Sequence, residues 1–148
     1  MRISAKGRYA LAATTSMAQS YNKDEYITLI SISEKLDISK IYLEQVFSLL
    51  KRGYIVTSVK GSQGGYQLAR IPHQITAYDV LSAVETSLFE TTEETLSQKV
   101  PELEIALRDT VYDSLDQSMK ITLQKISLYD LVLQTEKNRS DQGLMFFI

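Results

Sequence analysis

The chain has 148 residues, 44% of them hydrophobic and 23% charged, with a formal net charge of −2. That balance excludes a wholly disordered or collagen-like polymer, and no apolar run nears the roughly 18 residues of a spanning helix. There is no cysteine, which excludes disulfides, zinc–thiolate sites and thiolate-held iron–sulfur clusters.

The opening segment, MRISAKGRYA, lacks the apolar core of a signal peptide, so a cytoplasmic protein is expected. From Ser4 to Ser20 the chain is rich in Ala and Leu and reads as a helix, with Ser4 as N-cap. A polar loop, Tyr21 to Glu25, follows. Leu29 to Leu36 places Leu29, Ile32 and Leu36 at helical spacing. Asp37-Ile38-Ser39 is a tight connection, and Ser39 is the N-cap candidate for a helix over Lys40 to Arg52. Leu43, Val46, Phe47 and Leu50 line one face of it. Gly53 sits where a left-handed C-terminal cap is expected.

Tyr54 to Val59 is rich in β-formers, and Tyr66 to Ala69 alternates again. The glycine-dense turn between them predicts a hairpin. Thr76 can cap a helix over Ala77 to Glu85 that buries Val80, Leu81 and Val84. Residues 86–99 are polar, acidic and irregular. Pro101 fits the first turn of a long helix reaching about Met119. Val100, Leu103, Leu107, Val111 and Leu115 form its apolar seam. Thr122 opens a short helix to about Leu133, and a polar, mobile tail runs from Gln134 to Gly143. The sequence closes on Leu144-Met145-Phe146-Phe147-Ile148.

Charge divides the chain in the same way. Residues 1–70 carry ten Lys and Arg against five Asp and Glu; residues 71–148 carry six against thirteen. A basic half before an acidic half suggests that only the first meets a polyanion. Helix, tight turn, helix and hairpin is the winged helix-turn-helix order. The predicted class is therefore mainly α with a small β-hairpin wing, followed by a long dimerisation helix.

In that order the second helix of the pair fits the major groove. Its polar face carries Lys40, Tyr42, Glu44, Gln45, Ser48, Lys51 and Arg52. Glu44 can accept from a cytosine amino group and Gln45 can pair with adenine. Glu44 could equally hold Lys40 or Lys51 in a helix-surface pair. Lys60 and Gly61 sit at the wing tip, and Lys6 and Arg8 lie on the first helix, within reach of phosphate. A winged helix can also serve protein contacts alone, so an adaptor without operator binding is the alternative. No nucleophile–base pair, phosphate loop or metal triad is present, so no enzyme is expected.

Residues 1–10 together with IYLEQVFSLLKRGYIVTSVKGSQGGYQLAR at 41–70 resemble the Rrf-type winged-helix regulators, a bacterial family. The similarity continues through ITAYDVLSAVE at 75–85 and the long helix. It implies a homodimeric transcription factor acting on an operator in double-stranded DNA, most often as a repressor. By resemblance, Tyr42, Glu44 and Gln45 read bases and Lys60 with Gly61 reaches the minor groove. Lys60 stands where iron–sulfur members have arginine, and Ile41 where they often have a small polar residue.

Those members hold their cluster with cysteines in the segment corresponding to 86–104. Here that segment offers Glu90, Glu93, Glu94, Glu102 and Glu104, which suit at most a hard cation and otherwise a solvated loop. The lone histidine, His73, is expected at the surface. A cofactor-free protein is thus expected. The resemblance is greatest to the family's cysteine-metabolism repressors, which likewise end in an aromatic-rich segment closing on isoleucine. It implies a role in cysteine and sulfur metabolism. It also implies that Phe146, Phe147 and Ile148 bind a partner enzyme, cysteine synthase; the alternative is that they fold back on their own dimer. The expected layout is a DNA-binding domain over 1–85, a linker and dimerisation helices over 86–133, and a flexible tail over 134–148.

Overall fold

The computed structural model describes residues 2–61 and 64–146. Helix α1 (Ala5–Gln19) is capped by Ser4, whose Oγ accepts from the Gly7 amide at 3.2 Å. Helices α2 (Leu29–Leu36) and α3 (Lys40–Arg52) are capped by Thr28 and Ser39. Between them Asp37 takes a left-handed φ of 54°, which turns the chain within three residues. Strands β1 (Val56–Val59) and β2 (Gly65–Leu68) pair antiparallel, Val56 opposite Leu68. Ile27 adds a bridge to Tyr66, so the hairpin is anchored to the segment that enters α2.

Helix α4 (Ala77–Val84) begins with a capping box, Thr76 and Asp79 each satisfying the other's backbone amide. Helix α5 (Pro101–Leu107) continues through a π-helical turn, Arg108–Tyr112, into α6 (Asp113–Gln124). Helix α7 (Leu128–Phe146) completes the chain. The core joins α1, α3, α4 and the hairpin. Ala10, Ala13, Leu43, Val46, Phe47, Leu50, Ile75 and Val80 are fully enclosed in it. The predicted faces of α3 and α4 are the faces that are buried.

Four expectations need correction. The left-handed residue after α3 is Tyr54 (φ 61°), not Gly53. Gly53 serves a close approach instead, since a Cβ there would lie 2.7 Å from Ala83 Cβ on α4. The long helix does not stop near Met119: α6 runs to Gln124, so Thr122 lies inside it. The last helix starts at Leu128, where Ser127 and Asp130 form a second capping box (2.9 and 3.0 Å). Finally, the polar stretch 134–143 is helical, a continuation of α7. Its start is welded to the core. Leu128 is enclosed in the core, its amide donates to Ile75 O at 2.9 Å, and Ala77 N donates to Ile126 O at 2.8 Å.

Candidate nucleic-acid interface

Helix α3 has two unlike sides. Leu43, Val46, Phe47 and Leu50 are 0% exposed. Lys40, Ile41, Glu44, Gln45, Ser48, Lys51 and Arg52 face solvent. A helix held on its apolar stripe and bare on the other matches the width of the major groove. Lys40 Nζ and Glu44 Oε1 pair across one turn at 3.7 Å, so Glu44 does make the surface pair that its spacing allows. Tyr42 is different from its neighbours: it is half-buried, and its ring meets Tyr9 of α1 edge-on with centroids 5.1 Å apart. Its ring braces the two helices.

At the wing, Lys60 and Gly61 are exposed and Gly61 has φ 121° with open space around its Cα. The Gly64 amide donates to Gly61 O at 3.0 Å and closes the turn. On α1, Lys6 is half-buried and Arg8 exposed. The Arg8 guanidinium donates to Ile3 O at 2.8 Å, which fixes the segment entering the helix.

Several residues that orient this surface carry no sequence motif. Glu85, just past α4, accepts from the Ser4 amide (3.0 Å) and Ser4 Oγ (2.8 Å). A carboxylate at the start of α1 also suits the helix dipole. Arg70 donates to Tyr54 O (3.0 Å) and Gln74 O (3.3 Å) and pairs with Asp79 (3.4 Å). It thereby pins the end of α3, the base of the wing and α4 together. The Gln67 side-chain amide donates to main-chain carbonyls at Lys23 and Glu25, tying the 22–25 loop to β2. Only long-range geometry discloses such roles.

The acidic segment is not uniformly solvated. Glu104 is 4% exposed. Its Oε1 accepts from the Thr95 amide at 3.0 Å and lies 4.0 Å from Arg108, whose guanidinium donates to Thr92 O at 2.7 Å. This pair clamps the loop onto α5. Glu90, Glu93, Glu94 and Glu102 are exposed. Among the described residues no three His, Cys, Asp or Glu side chains converge as a metal site would require. His73 is at the surface as expected, stacked on Tyr129 with centroids 3.9 Å apart. The seam residues Leu103, Val111 and Leu115 are exposed and Leu107 is half-buried. No helix is long and apolar enough to cross a membrane among the described residues. Of the tail residues, the Phe146 backbone ends α7, while Phe147 and Ile148 lie outside the described residues.

A recognition helix braced by α1 and flanked by a two-stranded wing defines a DNA-binding regulator of the winged helix-turn-helix class. Residues 3–134 match the family model Rrf2, described as an iron-dependent transcriptional regulator, and the chain belongs to that family. It is 35% identical over 132 residues to the HTH-type transcriptional regulator CymR of Bacillus subtilis, covering 87% of this chain and 91% of that one. The structure of that protein, described as the global cysteine regulator of B. subtilis, superposes with a TM-score of 0.70 at 29% identity, covering 90% of this chain and 98% of that one. The structure of T. potens IscR gives the same TM-score at 31% identity, covering 99% of this chain and 96% of that one. The IscR regulator of Cereibacter sphaeroides is 39% identical over 89 residues, 60% of this chain and 57% of its own length. The chain is a transcriptional regulator, and its relatives are regulators, not enzymes.

The iron named in the family description does not fit these residues as a thiolate-held cluster. The chain has no thiol, and Glu104, the buried carboxylate in the segment, is committed to Thr95 and Arg108.

Proposed function

We propose that the chain is a homodimeric, cofactor-free repressor that reads a pseudo-palindromic operator with α3. What carries the reading is the division of α3 into a fully enclosed apolar stripe and a bare polar one. Glu44 and Gln45 meet base edges, while Lys40, Ser48, Lys51, Lys6 and Arg8 meet the phosphate backbone. Tyr42 acts with them, braced by Tyr9. Lys60 and Gly61 reach the neighbouring minor groove. Lysine there reads a narrow groove less strongly than arginine, because its ammonium is more firmly hydrated.

The dimer forms along Leu103, Leu107, Val111 and Leu115. Two copies joined there set their recognition helices about one helical turn of DNA, or a multiple, apart. Similarity to CymR along 91% of that chain supports a role in cysteine and sulfur metabolism. The similar aromatic end supports contact with cysteine synthase through Phe146, Phe147 and Ile148. Gel shifts at graded salt test the DNA reading: a specific binder keeps a large preference over random duplex as salt rises, and equal loss on both overturns it. Deleting residues 144–148 should abolish co-purification with the synthase while the dimer persists. Retained co-purification, or none with either form, overturns the partner assignment.

A further inference from the structure

Ile41 is 70% exposed, on the second position of a helix whose other branched or bulky apolar residues are enclosed or half-buried. It makes no part of the hydrophobic core cluster. Helix formation does not call for it, since a β-branched side chain is a weaker helix former than Leu, Lys or Glu at an exposed site. A single exposed apolar residue is ordinary on a protein surface. Its position here is not. Gln45 and Ser48 follow Ile41 by four and seven residues, so the three lie along one stripe of α3. The Lys40–Glu44 pair runs beside that stripe. Ile41 therefore heads the face that enters the groove, in the first turn, where recognition helices meet base edges.

The major groove offers one apolar feature, the C5-methyl of thymine. We infer that Ile41 is a specificity residue that packs its branched methyls on a thymine methyl in each half-site. This rests on the reading of α3 as the recognition helix. It predicts a thymine preference one contact outward from the base read by Gln45. The contact desolvates two apolar groups at once and has no hydrogen bond to lose, so cytosine or a bare uracil edge is tolerated but bound more weakly.

The test first enriches an operator from a randomised duplex pool with the full chain. Each thymine of that operator is then replaced in both half-sites by deoxyuridine, which removes the methyl and nothing else. One symmetric position should weaken wild-type binding by about fourfold for each methyl, the worth of roughly one buried methylene. Ile41→Ser should bind the thymine and uracil duplexes alike, and Ile41→Val should keep most of the difference. Because the side chain is exposed, circular dichroism should show all three proteins equally folded. If no thymine position is methyl-sensitive, or if Ile41→Ser keeps the same sensitivity, the inference fails while the operator stands. Failure to enrich any sequence overturns specific reading by α3 and the inference with it.

Discussion

Lys40 Nζ lies 3.7 Å from Glu44 Oε1 across one turn of the outward face of α3, with both side chains about half exposed. A pair this wet contributes at most a few tenths of a kcal/mol to folding. On the proposed reading of α3, DNA competes for both partners. A cytosine amino group can take Glu44, and a phosphate can take Lys40. Glu44→Ala should therefore leave the melting temperature nearly unchanged and cost roughly 1–3 kcal/mol of operator discrimination. Lys40→Ala should weaken all duplexes and lower the salt slope by about one contact. Equal loss on operator and random DNA for Glu44→Ala would remove its base-reading role.

Gly7 is buried where α1 meets Glu85, and a Cβ there would stand 2.1 Å from Glu85 Oε1. Gly7→Ala cannot be accommodated without displacing the carboxylate from Ser4. Helix propensity alone would favour Ala by about 1 kcal/mol. Loss of the two Ser4 contacts offsets that gain, and urea unfolding should show no net stabilisation. Glu85→Ala removes the contacts to Ser4 and should cost about 1 kcal/mol, the usual worth of a helix cap.

Leu115 is 63% exposed, and Leu103 and Val111 lie exposed on the same helical rod. Leu107→Glu and Leu115→Glu, made together, should convert a dimeric mass to a monomeric one in light scattering at micromolar concentration. The far-ultraviolet spectrum should stay near that of the native chain, because neither residue belongs to the core cluster. A wild-type chain that is already monomeric would refute the dimer.

Asp130 is held below the ordinary aspartate range. The Ser127 amide and then its hydroxyl stabilise the carboxylate, desolvation opposes them weakly, and nearby His73 adds a favourable charge. The folded group thus releases its proton more readily than the unfolded one. Its contribution is complete above the unfolded value, near pH 4, and is lost as pH falls through the folded value. Asp130→Asn should lose its stability deficit relative to the native chain as pH drops below about 4. A deficit that stays constant from pH 6 to pH 3 would show that the carboxylate charge is irrelevant at the start of α7.

The recognition module was legible because each of its parts obeys a local rule. Ser39 caps α3, its apolar residues fall at helical spacing, and two β-rich runs bracket a glycine turn. The second half was less legible, for physical reasons that differ by residue. Ser127 and Asp130 form a capping box, but Thr122 competes for the same role in the sequence. The polar run 134–143 has no apolar stripe, so helical spacing could not disclose the continuation of α7 beyond Leu133; nothing local distinguishes it from a solvated tail. Glu104 looked like one of five acidic loop residues. Its burial depends on Thr95 and Arg108 arriving from both sides. Tyr54 shows the converse: the glycine beside it invited the left-handed assignment, while Gly53 is needed for the approach of Ala83.

The wide turn at Arg108–Tyr112 has a consequence for how the long rod tolerates change in length. Leucines twelve residues apart, such as Leu103 and Leu115, would sit about 120° apart around a regular α-helix. A π turn loops out about one residue, which brings them back to within about 20° of one another. The rod therefore carries its surplus residue in one place. Losing a single residue from 108–112 would let the turn relax to α geometry with both ends still facing as they do now. Losing one from 113–124 would swing everything beyond it by about 100° and carry Ser127, with the seating of Leu128 in the core, off its place. Insertions and deletions among natural variants should accordingly gather at that one turn, and the lengths on either side of it should hold constant.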